Sequence, residues 1–178
     1  MKKTILLAFL GAGLFTANAQ TATATLKVNL AAVQSITINL VPTVQMNYNL
    51  STDYSGAGVE VTATDHLKVV SSGGFIISVS VPDAEISTSS SLTETILASG
   101  IKIEASYGTG NNDGSTFEEL ASLTTGTGGV LLTSTTGGAS KLYSVKYQGA
   151  GKDAYFGKRI GTGITTYTTP IQYSIIAN

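Results

Sequence analysis

The chain has 178 residues, with 10 Lys+Arg against 11 Asp+Glu, one His, no Cys and no Trp. Charged residues make up only 12% of it, about half the usual share, so there is no basic excess to displace counterions from nucleic-acid phosphates; 42% hydrophobic residues at near-zero net charge also exclude a disordered acidic chain. The absence of Cys removes disulfide scaffolds, thiol catalysis and thiolate metal sites together.

Lys2-Lys3, an apolar stretch from Thr4 to Phe15 and Ala17-Asn18-Ala19 before Gln20 follow the order of a secretory signal peptide. Residues 1–19 are therefore expected to be removed, leaving residues 20–178 as one exported domain, extracellular or on the cell surface, with the periplasm as the alternative address. The apolar stretch is too short to span a bilayer and nothing later reaches eighteen apolar residues, so no transmembrane segment is expected.

Residues 21–30 alternate strictly, placing Ala22, Ala24, Leu26, Val28 and Leu30 on one face and Thr, Lys and Asn on the other. A terminal segment is normally polar and frayed. This one has two readings: a donor strand that completes the sheet of a neighbouring subunit, or an ordinary first strand paired within its own domain. Ala31-Ala32-Val33-Gln34 would be the hinge. Residues 35–40 alternate again until Pro42, and Val44, Met46 and Tyr48 keep the spacing. Val59 and Val61 alternate with polar residues, and residues 67–70 form a short apolar run. Ser71-Ser72-Gly73-Gly74 then joins that run to residues 75–81, which predicts a hairpin. Ser91-Leu92-Thr93-Glu94 has capping-box spacing, but β-branched Thr93, Thr95 and Ile96 favour an extended chain. Ile101, Ile103 and Ala105 form a strand ending near Tyr107. Residues 108–114 and 124–138 are Gly-, Thr- and Ser-rich and are expected to be loops. Ser115-Thr116-Phe117-Glu118 repeats the capping-box spacing ahead of Leu120 and Leu123, which predicts a helical turn over residues 116–122. Residues 142–147 and 166–176 supply further strands. Short strands with frequent turns and no long helical period predict an all-β chain. The expected fold is a single antiparallel β-sandwich, Ig-like or pilin-like with Greek-key connections and at most one short helix. The expected core includes Ile36, Ile38, Leu67, Val69, Phe75, Ile77, Val79, Ile101, Ile103, Tyr173 and Ile175.

Groups for chemistry are sparse. His66 is the only histidine, so a Ser-His-Asp triad or a histidine metal site would have to use it; a turn or strand-edge histidine is the plainer reading. The Gly108-to-Gly114 stretch lacks a complete phosphate-loop or calcium-loop pattern, and Asn, Asp and Gly suit a surface loop with positive φ. Glu118 and Glu119 are neighbours and cannot face each other across a sugar, while Glu60, Glu85, Glu94 and Glu104 are spread over separate segments. Lys158-Arg159 reads as a solvated loop or edge pair. No catalytic residue, cofactor or metal is expected, and the chain is not read as an enzyme.

The segment from Leu67 through Ser71-Ser72-Gly73-Gly74-Phe75 to Val79, and the ending from Gly163 through Tyr167-Thr168-Thr169 to Ile176, resemble bacterial fimbrial subunits, spore-coat-type proteins and other secreted pilin-like sandwiches. The Ala-Asn-Ala-Gln junction is similar to signal peptides of the Bacteroidetes type. The chain departs from the fimbrial pattern in having no cysteine pair and in placing its last tyrosine five residues before the C-terminus. Export, low charge, Thr- and Ser-rich strands and missing catalytic groups lead to the expectation of a structural or adhesive surface protein, a fimbria-like subunit that self-associates or joins another surface subunit. Strand exchange through Ala22, Ala24, Leu26, Val28 and Leu30 is expected from the position and alternation of that segment. The alternative expectation is a non-catalytic module binding glycan or cell wall through loops at one end of the sandwich.

Overall fold

The computed structural model describes residues 20–40, 42–88 and 94–178; the signal-peptide stretch 1–19 and the Ser91, Leu92 and Thr93 part of the capping-box segment lie outside them. The chain divides at Leu30/Ala31 into two units, of which residues 20–30 and Ala31–Asn178 are each described by themselves. The fold is nearly all β, with 42% strand and 5% helix.

In Ala31–Asn178 the elements run β1 (Gln34–Ile38), α1 (Ser51–Ser55), β2 (Glu60–Ser71), β3 (Phe75–Ser80), β4 (Glu85–Ser87), β5 (Thr95–Leu97), a 3-10 turn (Ala98–Gly100), β6 (Lys102–Tyr107), β7 (Thr116–Phe117), β8 (Ala121–Ser122), β9 (Gly129–Ser134), β10 (Gly138–Gln148) and β11 (Gln172–Ala177). One sheet has the order β1-β2-β10-β6-β8, the other β11-β3-β9-β7, and β4-β5 form a small ribbon. Every pairing is antiparallel. The two large sheets bury one core in common: Leu67, Val69, Ile103, Tyr143 and Val145 come from the first sheet, and Phe75, Ile77, Val79, Leu131 and Leu132 from the second. That is an antiparallel sandwich, each strand turning alternate residues inward.

Several expectations need correction. The 67–81 hairpin is instead a corner between sheets. β2 already has β1 and β10 as ladder partners, so β3 crosses to the other sheet and pairs with β11 and β9. The Ser71–Gly74 turn serves that corner, with Ser71 Oγ donating to the Gly73 carbonyl at 2.8 Å. The helix at 116–122 is absent. Phe117 packs edge-on against Tyr107 with ring centres 4.8 Å apart, and β7 pairs with β9, so aromatic burial and ladder bonds outweigh the local capping signal. The stretch 124–138 is not all loop, because β9 occupies its middle and buries Leu131 and Leu132 completely. Val44, Met46 and Tyr48 are each partly buried between exposed neighbours, but they form no ladder. Of the expected core, Ile38 is 44% exposed, while Ile36, Tyr173 and Ile175 are partly buried against the core.

Candidate functional site

Each large sheet ends on a strand with a single partner at the same side of the sandwich. Among the described residues β1 pairs only with β2, and β11 only with β3. Between these edges Ile36, Thr37, Ile38, Ile171 and Tyr173 line a cleft of about 120 Å³, and Ile176 on β11 is exposed. Edge strands carry unpaired N–H and C=O groups that can accept another strand. Just before β1, Val33 N donates to Ser72 Oγ at 2.9 Å and Ser72 N donates to the Val33 carbonyl at 2.9 Å, so the β1 pairing with the β2 end extends back to Val33.

The segment 20–30 is described by itself. It carries no strand or helix, and Ala22 and Ala24 are exposed. Leu26, Val28 and Leu30 are 87%, 71% and 91% exposed. Five alternating apolar residues thus stand in water.

His66 lies behind the β1/β11 edge. Between the pairs Tyr143↔Leu67 and Val145↔Ala63, four residues of β2 advance against two of β10, which makes a bulge. Asp65 occupies it with φ 52°, and three contacts hold it there. Asp65 N donates to Ser144 Oγ at 3.1 Å, Thr109 N donates to Asp65 Oδ1 at 2.6 Å, and Asn39 Nδ2 donates to the Asp65 carbonyl at 3.0 Å. Gly108 must be glycine, since a Cβ there would strike Asp65 Oδ1 and the Leu142 backbone. The bulge breaks alternation, so His66 and Leu67 are both buried although consecutive. The imidazole stands edge-on to Tyr147 and Tyr173, with ring centres 5.9 and 6.0 Å away. The hydroxyls of those two tyrosines, one from each sheet, hydrogen-bond to each other. Burial pushes the Tyr147 phenol up to about 12 and, with Tyr147 beside it, raises Tyr173 further. Burial lowers the His66 pKa, and His66 Nδ1 has no hydrogen-bond partner. The expected turn or strand-edge histidine is therefore an interior residue.

A second polar group went unread in the sequence. Asp113 and Lys141 form an ion pair with both side chains almost entirely buried. Asp113 also accepts from Ser115 Oγ at 2.5 Å and Tyr143 Oη at 2.8 Å. Lys141 Nζ donates to Ser134 Oγ at 3.1 Å and to the Thr136 carbonyl at 2.6 Å, and it lies 5.3 Å from the Phe75 ring centre. Burial alone would raise the Asp113 carboxyl, but hydrogen bonds from Lys141, Ser115 and Tyr143 outweigh it and hold the group well below the usual carboxylate range. Burial pushes the Tyr143 phenol up to about 12. One signal could have found the lysine: Lys141 shares the period-two face of Tyr143, Val145 and Tyr147.

At one end of the sandwich, α1 meets the loop after β10. Tyr48 Oη donates to the Ala150 carbonyl at 2.7 Å, and burial pushes that phenol up to about 12. Tyr54 stacks on Phe156 with centres 4.8 Å apart, and Phe156 is 54% exposed. Gly58, at φ 92°, allows the close approach, because a Cβ there would run into the Gly149 carbonyl. Gly56, Ser99, Lys102, Gln148, Gly151 and Lys152 border an open cleft of about 380 Å³ here.

The remaining candidates do not converge. Glu118 and Glu119 are exposed. Glu104 pairs with Lys146 at 2.5 Å and Glu94 with Lys158 at 3.6 Å. Arg159 donates to the carbonyls of Thr162 and Gly163. Among the described residues, no three His, Asp or Glu side chains gather where they could hold a metal ion. A scan against protein-family models finds no match, and a search of curated proteins finds no similar sequence.

Proposed function

We propose that the protein is a secreted, non-catalytic structural or adhesive surface protein, a fimbria-like subunit whose residues 20–30 add a strand to the β1/β11 edge of a neighbouring copy. The carrying observation is the exposure of Leu26, Val28 and Leu30 in a segment patterned as a strand but folded as none. The cleft between two single-partner strands supports the same reading from the acceptor side. Main-chain bonds would supply affinity, and the five apolar residues would set the register. β1 has five residues and β11 six, so a donor of this length covers either. A head-to-tail contact of this kind does not close on itself and generates a fibre.

The mature chain, residues 20–178, is expected to form filaments by electron microscopy and a mass ladder by light scattering. Removing residues 20–30, or introducing L26E with V28E, should leave a folded monomer that binds a synthetic 20–30 peptide. A truncation that unfolds a chain already monomeric at full length would return the segment to its own domain and end the proposal. Export carries its own test: secreted material is expected to begin at Gln20 by intact mass, and secreted protein retaining residues 1–19 would overturn the leader assignment.

A second reading, a glycan- or cell-wall-binding module, is favoured by the exposed Phe156 stacked on Tyr54 near the open cleft, since sugars stack on aromatic faces. Retention on glycan or peptidoglycan columns that is abolished in F156A would support it, and retention unchanged by that substitution would count against it.

A further inference from the structure

We propose that His66 makes the β1/β11 edge acid-sensitive: protonation of its buried imidazole loosens β11 from the first sheet and so alters the surface on which a strand would be added. The loosening rests on the fold alone, and its consequence for assembly rests on the strand-addition reading above.

His66 stands on the β2 bulge, behind the cleft that Tyr173, Ile36 and Ile38 line. Its backbone is tied to the chain leaving β1, because Asn39 N donates to the His66 carbonyl at 2.7 Å. Tyr147 from β10 and Tyr173 from β11 both meet the imidazole and bond to each other, so the His66–Tyr147–Tyr173 cluster links the two sheets at their open side. These two phenols are the titratable groups that face the ring. β1 and β3 have no ionisable side chain, and Tyr173 is the only one on β11. On β2 itself, the Asp65 carboxylate is turned to Thr109 N. On β10, Lys146 is paired with Glu104, and Lys141 with Asp113.

A neutral imidazole can sit in such a place with Nδ1 as an idle acceptor. Once protonated, Nδ1–H becomes a buried donor with no acceptor among the described residues. Neither of the two phenol hydroxyls, which bond to each other, is a hydrogen-bond partner of Nδ1 in the closed state. Relief comes from letting water in, and the β1/β11 cleft, lined by the Tyr173 that meets the ring, offers a route where β11 has one ladder partner. The sign follows from linkage. Burial lowers the pKa of His66 in the closed state, so the opened state binds the proton first as pH falls below about 6.5. The closed state then loses stability progressively until pH passes below its own lower pKa.

His66 is the only histidine in the chain, so its ring signals in an NMR titration are unambiguous. They are expected to titrate clearly below the ordinary imidazole value. Amide hydrogen exchange on the monomeric fraction of the mature protein should show β11 protection factors falling by up to about tenfold per pH unit below 6.5. The same amides in H66F should show no such dependence; H66Q, also neutral throughout, gives the same comparison if the phenylalanine variant does not fold. A ring that titrates at the ordinary value, or a pH profile of β11 shared by wild type and the neutral variants, would overturn the proposal. Binding of the 20–30 peptide separates the two claims. If β11 loosens in acid but no peptide binds at any pH, strand addition fails and the acid-sensitive edge stands.

Discussion

Asp113→Ala is expected to destabilise the domain by about 3–5 kcal/mol in urea unfolding at neutral pH, because it leaves the Lys141 ammonium buried without its counter-charge. Ser134 and Thr136 would still accept from Nζ, and Phe75 would still lie beneath it, but none of these carries a negative charge. Tyr143, fully buried, would lose its carboxylate acceptor as well and keep Ser115 Oγ, 3.1 Å from its hydroxyl. The double variant D113A/K141M should recover much of the loss, since removing both partners of a buried pair costs less than removing one. The pH dependence follows the same logic. Asp113 has a carboxyl held well below its unfolded value by hydrogen bonds that outweigh burial. The stability it contributes is full above about pH 4 and is lost as pH falls towards the folded value. Wild type should therefore weaken between pH 4 and pH 2 more steeply than D113A/K141M. Equal slopes would show that the pair contributes nothing through its charge.

The fold class was legible because most strands obey period two, and β3 shows it cleanly: Phe75, Ile77 and Val79 are buried, with partly exposed residues between them. Legibility failed where the ladder is irregular. Leu131 and Leu132 are both buried because β9 shifts register between Ile77↔Leu132 and Ser78↔Val130. Tyr143, Ser144 and Val145 are buried in succession for a similar reason, beside the bulge that turns His66 inward. Gly, Thr and Ser content points residues 124–138 to a loop and hides β9. An alternation reading has no place for the extra residue that turns His66 inward from a turn or strand edge. The hairpin failed differently. Ser-Ser-Gly-Gly between two β runs specifies a turn, but whether the strands then pair or part is decided by which ladder sites are already filled. The segment 20–30 was legible as a strand pattern alone; no partner strand can be read from its own residues. Asp113 and Lys141 are 28 positions apart, and nothing local announces that β10 brings them together.

Ile77→Ala is expected to cost about 2–5 kcal/mol, and Ile76→Ala much less. The neighbours share a strand, a residue type and nearly the same backbone environment, so their difference isolates burial. Ile77 is fully buried, opposite Ile175 on one side and Leu132 on the other. Ile76 faces away from that core and is only partly buried. Truncating Ile77 removes three carbons from a layer that two consecutive leucines fill, and a bulged β9 cannot slide to close the space without shifting its register against β3. The loss should also reach the open edge, because β3 is the one ladder partner of β11 among the described residues. In I77A the β11 amides are therefore expected to lose protection from hydrogen exchange before those of β10, which is paired on both sides. Similar losses for I76A and I77A, or a cost below half a kcal/mol for I77A, would place the other face of β3 inward and undo the register on which the β1/β11 cleft depends.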